Sequence, residues 1–164
     1  MDLEATLAEV APGLLRYCTG ASGDPVAGEE LAQEALTALV TYWRRHGPPE
    51  STRAFVYVVA RRIVRRHRWR RRLLVPLEFL TDGRHPAPDP ETTTCRRSEL
   101  QQTLTAVGSL PERERQALLL ATAGDLDVHS AARVLGISAS AFKMRVHRAR
   151  RHLVQFMESD DEQR

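Results

Sequence analysis

The residues that decide the fold are Asp127-Val128-His129-Ser130-Ala131-Ala132-Arg133-Val134-Leu135-Gly136-Ile137-Ser138, continued by a run from Ala139 to about Met157. The first piece reads as a short helix that ends in Gly136, where glycine supplies the left-handed conformation that stops a helix. Ser138 then stands where an N-cap starts the next helix. Two helices joined by a Gly-containing turn form a helix-turn-helix pattern. Each small residue has a steric task. Ala132 lets the second helix cross close to the first, and Ile137 fills the corner. In the second helix Phe142, Val146, Ala149 and Leu153 recur at spacings of four, three and four, so they share one face. At about 100° per residue, Ser140, Met144, His147, Arg148 and Arg151 point away from it. Lys143, Arg145 and Arg150 lie on the flanks. One face buried, one free to meet base edges and bases alongside to hold phosphates is what major-groove reading requires. A solvated amphipathic helix would share the charge, but the Ala132, Gly136 and Ile137 spacing and the lack of any acid from Lys143 to His152 favour DNA.

Outward from this segment, charge is segregated along the 164-residue chain. The formal net charge is only +3, from 24 Lys+Arg and 21 Asp+Glu. Residues 1–43 nevertheless carry −6, residues 44–75 carry +10 and residues 143–152 carry +5. Lys143 is the single lysine, so the basic blocks are almost wholly arginine, whose guanidinium grips phosphate oxygens in a bidentate fork. Like charges at such density repel unless a polyanion is near, and nucleic acid is the commonest one.

Breakers divide the chain. Gly20 to Pro25 and His46 to Ser51 read as loops, and Val75 to Thr94, with Pro86, Pro88 and Pro90 at alternate positions, reads as extended chain. Between them Leu31, Ala35, Ala38, Leu39 and Tyr42 form a helical stripe. Residues 52–72 are apolar and β-branched at first, a pattern shared by buried strands and buried helices. An N-cap at Ser51 or Thr52 and an unbroken run to Pro76 favour helix. Ser109-Leu110-Pro111-Glu112-Arg113-Glu114 reads as a further helix start, with acids at the positive end of the dipole, running to Gly124. The expected fold is all-α: two small helical domains joined by a flexible linker.

The composition, 42% hydrophobic and 27% charged, is that of a globular chain. No apolar run reaches the roughly 18–20 residues that span a bilayer, and the start Met1-Asp2-Leu3-Glu4 lacks a signal-peptide pattern, so a cytoplasmic protein without a membrane partner is expected. Cys18 and Cys95 form neither a disulfide framework nor a metal spacing, although a redox-sensing pair remains one reading of them. No metal or cofactor site is expected.

The stretches Leu110-Pro111-Glu112-Arg113-Glu114-Arg115, Leu135-Gly136-Ile137-Ser138 and Lys143-Met144-Arg145-Val146-His147-Arg148-Ala149-Arg150 resemble region 4 of the extracytoplasmic-function (ECF) group of bacterial sigma-70 factors. Glu29-Glu30-Leu31-Ala32-Gln33-Glu34-Ala35 resembles region 2.2, and Phe55-Val56-Tyr57-Val58-Val59-Ala60-Arg61 the start of region 2.4. The resemblance implies a promoter-specificity subunit of RNA polymerase. It implies region 2 over residues 1–73, a linker over 74–98, region 4 over 99–157 and an acidic tail over 158–164. It implies that Glu30, Gln33 and Glu34 meet the β′ clamp helices of core polymerase, with the β flap as a second contact. The −10 element would be met by Arg61, Arg62, Arg65 and Arg66 and by the loop His46–Ser51. The −35 element would be met by Ser140, Lys143, Met144, His147, Arg148 and Arg151. An anti-sigma factor is a further partner that the family admits. The sequence departs from the usual pattern at Phe55, where the family has Trp, at Arg62, where it has Asn, at Glu30, where it has Asp, and in the stiff Gly47-Pro48-Pro49.

A subunit of this kind forms no covalent intermediate, so no catalytic constellation is expected. Two other functions compete with it. Glu29, Glu30 and Glu34 have the chemistry to hold Mg²⁺ in a nucleic-acid-processing enzyme, but nothing else in the chain resembles a metal cage. A stand-alone helix-turn-helix regulator is the main alternative; it is normally a symmetric dimer, and the chain shows no dimerisation seam.

Overall fold

A computed structural model describes residues 2–74, 94–124 and 126–161. All secondary structure among them is helical, as expected: α1 (Leu3–Ser22), α2 (Pro25–His46), α3 (Thr52–Leu74), α4 (Thr94–Ser109), α5 (Glu112–Ala123), α6 (Val128–Leu135) and α7 (Ala139–Asp161). The ambiguous run after Ser51 is a helix of 23 residues. Its start is capped as the sequence suggests, with the Ala54 amide donating to Ser51 Oγ at 3.4 Å. Asp2, Asp24 and Asp127 cap α1, α2 and α6. Ser138 caps α7 through the Ala141 amide at 3.2 Å.

Two boundaries differ from expectation. The helix α4 begins at Thr94, inside the stretch read as linker, because Leu100, Leu104 and Val107 form a short apolar stripe, with Leu104 and Val107 buried. The acidic end is not a separate tail up to Asp161: α7 runs through Glu158 and Ser159. Most of the expected linker, residues 75–93, and the last three residues lie outside the described residues.

Helices α1–α3 pack as one layer. Gly28 is where α2 crosses α1: a Cβ there would lie 2.4 Å from Thr19 Oγ1 and 2.7 Å from Thr19 Cα, so only glycine fits. Helices α5–α7 enclose the second cluster, with Leu120 and Ala149 fully buried. The two helical domains pack against each other. One continuous buried cluster runs from Leu14, Tyr17 and Val64 to Leu118, Leu120 and Phe142. The reason is that α1 and α5 each present a second apolar strip once their first is covered, and these strips meet. Tyr17 stacks edge-on against Tyr57 with ring centroids 5.5 Å apart, and Gly124 sits on the Tyr57 ring, where an added Cβ would approach Cζ to 3.2 Å.

A polar chain crosses the same seam. The Tyr17 hydroxyl donates to Gln116 Oε1 at 2.6 Å, and Gln116 Nε2 donates to Glu112 Oε1 at 2.9 Å. Glu112 also pairs with Arg68 of α3 and with Arg115, whose guanidinium is otherwise buried and donates to the Gly108 carbonyl at 3.2 Å. Burial of the Tyr17 phenol, first among the causes, raises its pKa. Burial also acts to raise the Glu112 pKa, but the Gln116 hydrogen bond and the Arg115 and Arg68 charges outweigh it and hold the carboxyl below its ordinary value.

Two measurements follow from this packing. Leu120→Ala should cost about 2–5 kcal/mol by chemical denaturation, the usual range for a buried Leu truncation. The wild type should unfold in one transition seen equally by probes in both halves. The ionised Glu112 carboxylate, with its folded pKa below the unfolded value of about 4.3, contributes stability above that pH and loses it as the pH falls through the folded pKa. Acid denaturation profiles of wild type and Glu112→Gln should therefore converge below about pH 4 and separate above it.

Candidate nucleic-acid interface

The helix-turn-helix is built by local chemistry. Asp127 accepts from the His129 and Ser130 amides at 2.9 and 3.0 Å and from the Ser130 hydroxyl at 2.8 Å. Those Ser130 bonds, backbone then side chain, hold the Asp127 carboxyl below its ordinary pKa. The helix α6 ends at Gly136 with φ of 67°, in the left-handed region, and its amide closes on the Arg133 carbonyl at 3.0 Å. Ala131 and Ala132 are buried where α6 meets its neighbours. Phe142, Val146 and Ala149 face the core, and Leu153 packs partly against it.

The opposite face of α7 is bare. Ser140, Lys143, Met144, His147, Arg148 and Arg151 are all exposed, Met144 by 51% despite being a large apolar side chain. On α5 the side chain of Glu114 meets His152 Nδ1 at 2.6 Å, which fixes the far flank of α7. The exposed face thus carries the cations Lys143, Arg148 and Arg151, with Arg145 and Arg150 on its flanks, on a capped helix.

The second basic face lies on α3. Stepping 100° per residue, Arg62 and Arg66 lie within about 40° of each other and Arg65 about 60° to the other side of Arg62. All three are exposed. Arg66 pairs with Glu34 of α2, while Arg62 and Arg65 make no ion pair among the described residues. Arg61 does not share that face. It is half-buried and Nη1 donates to the Val134 carbonyl of α6 at 3.3 Å. Arg68 is likewise turned to Glu112. The Trp69 indole, read from sequence as hard to bury among charges, is 62% exposed, whereas Tyr57 is in the core and Trp43 packs partly against it.

On α2, Glu30, Gln33 and Glu34 are exposed along one face, opposite buried Leu31, Ala32, Ala35 and Leu39. At the end of the loop from Gly47 to Ser51, Glu50 and Ser51 line a cleft of about 300 Å³ with Thr6, Glu9 and Val10 of α1, the α6 cap Asp127 and Ser130 of α6. Cys18 is fully buried and burial pushes its thiol up to about 12, so the Cys18 half of a redox pair is shielded and protonated. The Cys95 side chain lies outside the described residues.

Sequence reading missed the Tyr17–Gln116–Glu112–Arg68 chain. The one local signal was Glu112 and Gln116 at a spacing of four beside Arg115, a polar patch on a helix otherwise apolar. Among the described residues no group of three His, Cys, Asp or Glu could hold a metal ion, and no helix is long and apolar enough to cross a membrane.

Known proteins resemble the chain in both sequence and fold. Residues 100–153 match the family described as Sigma-70, region 4. The chain is 34% identical over 154 residues to the ECF RNA polymerase sigma factor SigF of Caulobacter vibrioides, covering 90% of this chain and 78% of that protein. It is 30% identical over 166 residues to the RNA polymerase sigma-E factor of Streptomyces antibioticus, covering 98% and 87%. Among solved structures, the sigma factor RpoE in complex with the anti-sigma factor NepR, from Bartonella quintana, superposes with a TM-score of 0.72 at 22% identity, over 96% of this chain and 97% of that one. CnrH in complex with the cytosolic domain of CnrY gives 0.70 at 19% identity, over 96% and 88%. With its capped helix-turn-helix and its agreement over nearly the whole length with these relatives, the chain belongs to the ECF group of RNA polymerase sigma factors.

Proposed function

We propose that this sigma factor, acting in the cytoplasm, reads the −35 element with Ser140, Lys143, Met144, His147, Arg148 and Arg151 and meets −10 DNA with Arg62, Arg65 and Arg66. The observation that carries the reading is the pair of bare basic faces, on α7 and on α3, each backed by a helix face that is fully committed to the core. Backing of this kind holds side chains in register with a groove, while guanidinium groups supply the phosphate affinity. Arg61 joins the −10 set once its bond to the Val134 carbonyl is released.

Glu30, Gln33 and Glu34 form the polymerase contact in this reading. Their acidic, exposed face on α2 lies beside the basic face of α3 and is joined to it by the Glu34–Arg66 pair. A negative docking strip next to a positive DNA strip keeps each partner off the other's surface. The solved relatives were captured with the anti-sigma factor NepR and with CnrY, which supports an anti-sigma factor as a further partner of this chain. The protein acts by binding and carries out no bond-making chemistry of its own. A stand-alone regulator would use α6 and α7 but has no task for the α2 face.

Arg148→Ala should weaken promoter binding and, as a base reader, relax preference at one −35 position by about 1–3 kcal/mol. Competition binding against single-position promoter variants measures this, and an equal loss on every sequence would assign Arg148 to a phosphate instead. The double variant Gln33→Ala, Glu34→Ala should lower affinity for core polymerase while leaving binding to −35 duplex unchanged. A parallel fall in both would refute separate surfaces.

A further inference from the structure

The bare face of α7 is polar at every position but one. Met144 is 51% exposed, while its neighbours on that face, Ser140, His147, Arg148 and Arg151, all carry polar or charged groups. At about 100° per residue they lie within about 60° of Met144 on its two sides, so the thioether stands in the middle of the face and not at its rim. The residues that seat the helix, Phe142, Val146 and Ala149, are buried and lie about 140–160° away from it. A single exposed apolar side chain is ordinary on a protein surface. Position distinguishes this one. The other exposed apolar residues of α7, Val154 and Met157, stand about 80° and 140° round from Met144 and about three to four turns further along.

The chemistry of the groove says what such a side chain can meet. Base edges in the major groove present N7, O6 and O4 acceptors and N4 and N6 donors, and among them a single apolar group, the C5-methyl of thymine. A thioether has no hydrogen to donate and its sulfur is a weak acceptor, so it cannot satisfy the polar edges. Against a methyl group it removes apolar surface of both partners from water. Its rotatable bonds and polarizable sulfur let it follow the methyl to wherever the helix docks. The arginines beside it pair with guanine acceptors or phosphates, and neither contact senses a methyl.

Resting on the proposed −35 reading, we infer that Met144 reads the 5-methyl group of a pyrimidine in that element and so supplies a preference that the surrounding cations cannot. Thymine carries this methyl in every duplex, and cytosine carries the same group on the same atom only when methylated. Met144 and Arg148 are four residues apart, about 6 Å along the axis, so the methyl lies within about two base steps of the pair that Arg148 meets.

The test uses the full chain assembled with core polymerase, on a promoter that this holoenzyme selects from a random-sequence library. Each thymine of the −35 element, on either strand, is replaced singly by deoxyuridine, which removes the methyl and leaves every hydrogen-bonding edge in place. A parallel series puts 5-methylcytosine at each cytosine. Competition binding is measured for wild type, Met144→Ala and Met144→Leu. Because Met144 is exposed and alanine favours helix, the Ala variant keeps the fold. Wild type should lose about fourfold at one thymine, the effect of burying one methyl-sized group, and Met144→Ala should bind the two promoters equally. Met144→Leu, apolar and similar in volume, should keep most of the discrimination. Where the methyl is that of a modified cytosine, methylation should instead tighten wild-type binding about fourfold and leave Met144→Ala unchanged.

The inference is overturned if no methyl, removed or added, separates wild type from Met144→Ala. Equal sensitivity of both proteins to one methyl overturns it too, by assigning that methyl to another residue. Failure of the underlying reading looks different: full base substitutions throughout the element would leave wild-type affinity unchanged, and Arg148→Ala would cost nothing on any promoter.

Discussion

The hydroxyl of Tyr17 is the constraint from which the rest of the architecture follows. It is fully enclosed between the first helix and the fifth, and a buried hydroxyl must find a partner or cost about 1–3 kcal/mol. Its partner, the Gln116 side chain, is 99 residues away in sequence. That one bond fixes α5 against α1, and through Gln116 and Glu112 it also orients Arg68 on α3. Because α5 in turn packs on α6 and α7, the position of α7 relative to α1–α3 depends on the contact at Tyr17.

The division of charge is the second organising fact. Acidic chain supplies α1 and α2, basic chain supplies α3 and α7, and several acids and bases meet along the edges between helices. Glu9 meets Arg53, Glu34 meets Arg66 and Glu114 meets His152. The Glu9–Arg53 and Glu34–Arg66 pairs are between largely exposed groups, and such pairs contribute little to stability. Their effect is on orientation. Each holds a long side chain beside its strip and leaves Arg62, Arg65 and the outward face of α7 uncovered for a polyanion.

Most of the local structure was legible in the sequence because its causes are local. Gly136 stops α6 for a reason contained in its own φ angle, and Ser138 and Asp127 cap helices within three residues of themselves. The outward face of α7 follows from the spacing of Phe142, Val146 and Ala149 alone. The run from Ala54 to Ala60 gave no periodicity to separate strand from helix; a cap at Ser51 or Thr52 and the unbroken run to Pro76 favoured helix, which the structure shows. What could not be read was packing between distant segments. Nothing near Arg61 or Arg68 in sequence distinguishes them from Arg62 and Arg65; the difference is made by Val134 and Glu112, which arrive from the other end of the chain. The same limit applies to how the two domains on either side of Pro86, Pro88 and Pro90 sit against each other. Breakers mark where the chain stops forming helix, and they carry no information on whether the helices on either side share a core.

The balance of forces at the seam determines what can open it. The Arg68–Glu112 pair is half exposed on its acidic side, at 52%, so salt screens it and its share of the closing free energy is small. The apolar contacts of Leu118, Leu119 and Leu120 are buried and indifferent to salt. Raised ionic strength alone would therefore loosen the polar part and leave the seam shut. A ligand opens it only by binding the open form better than the closed one.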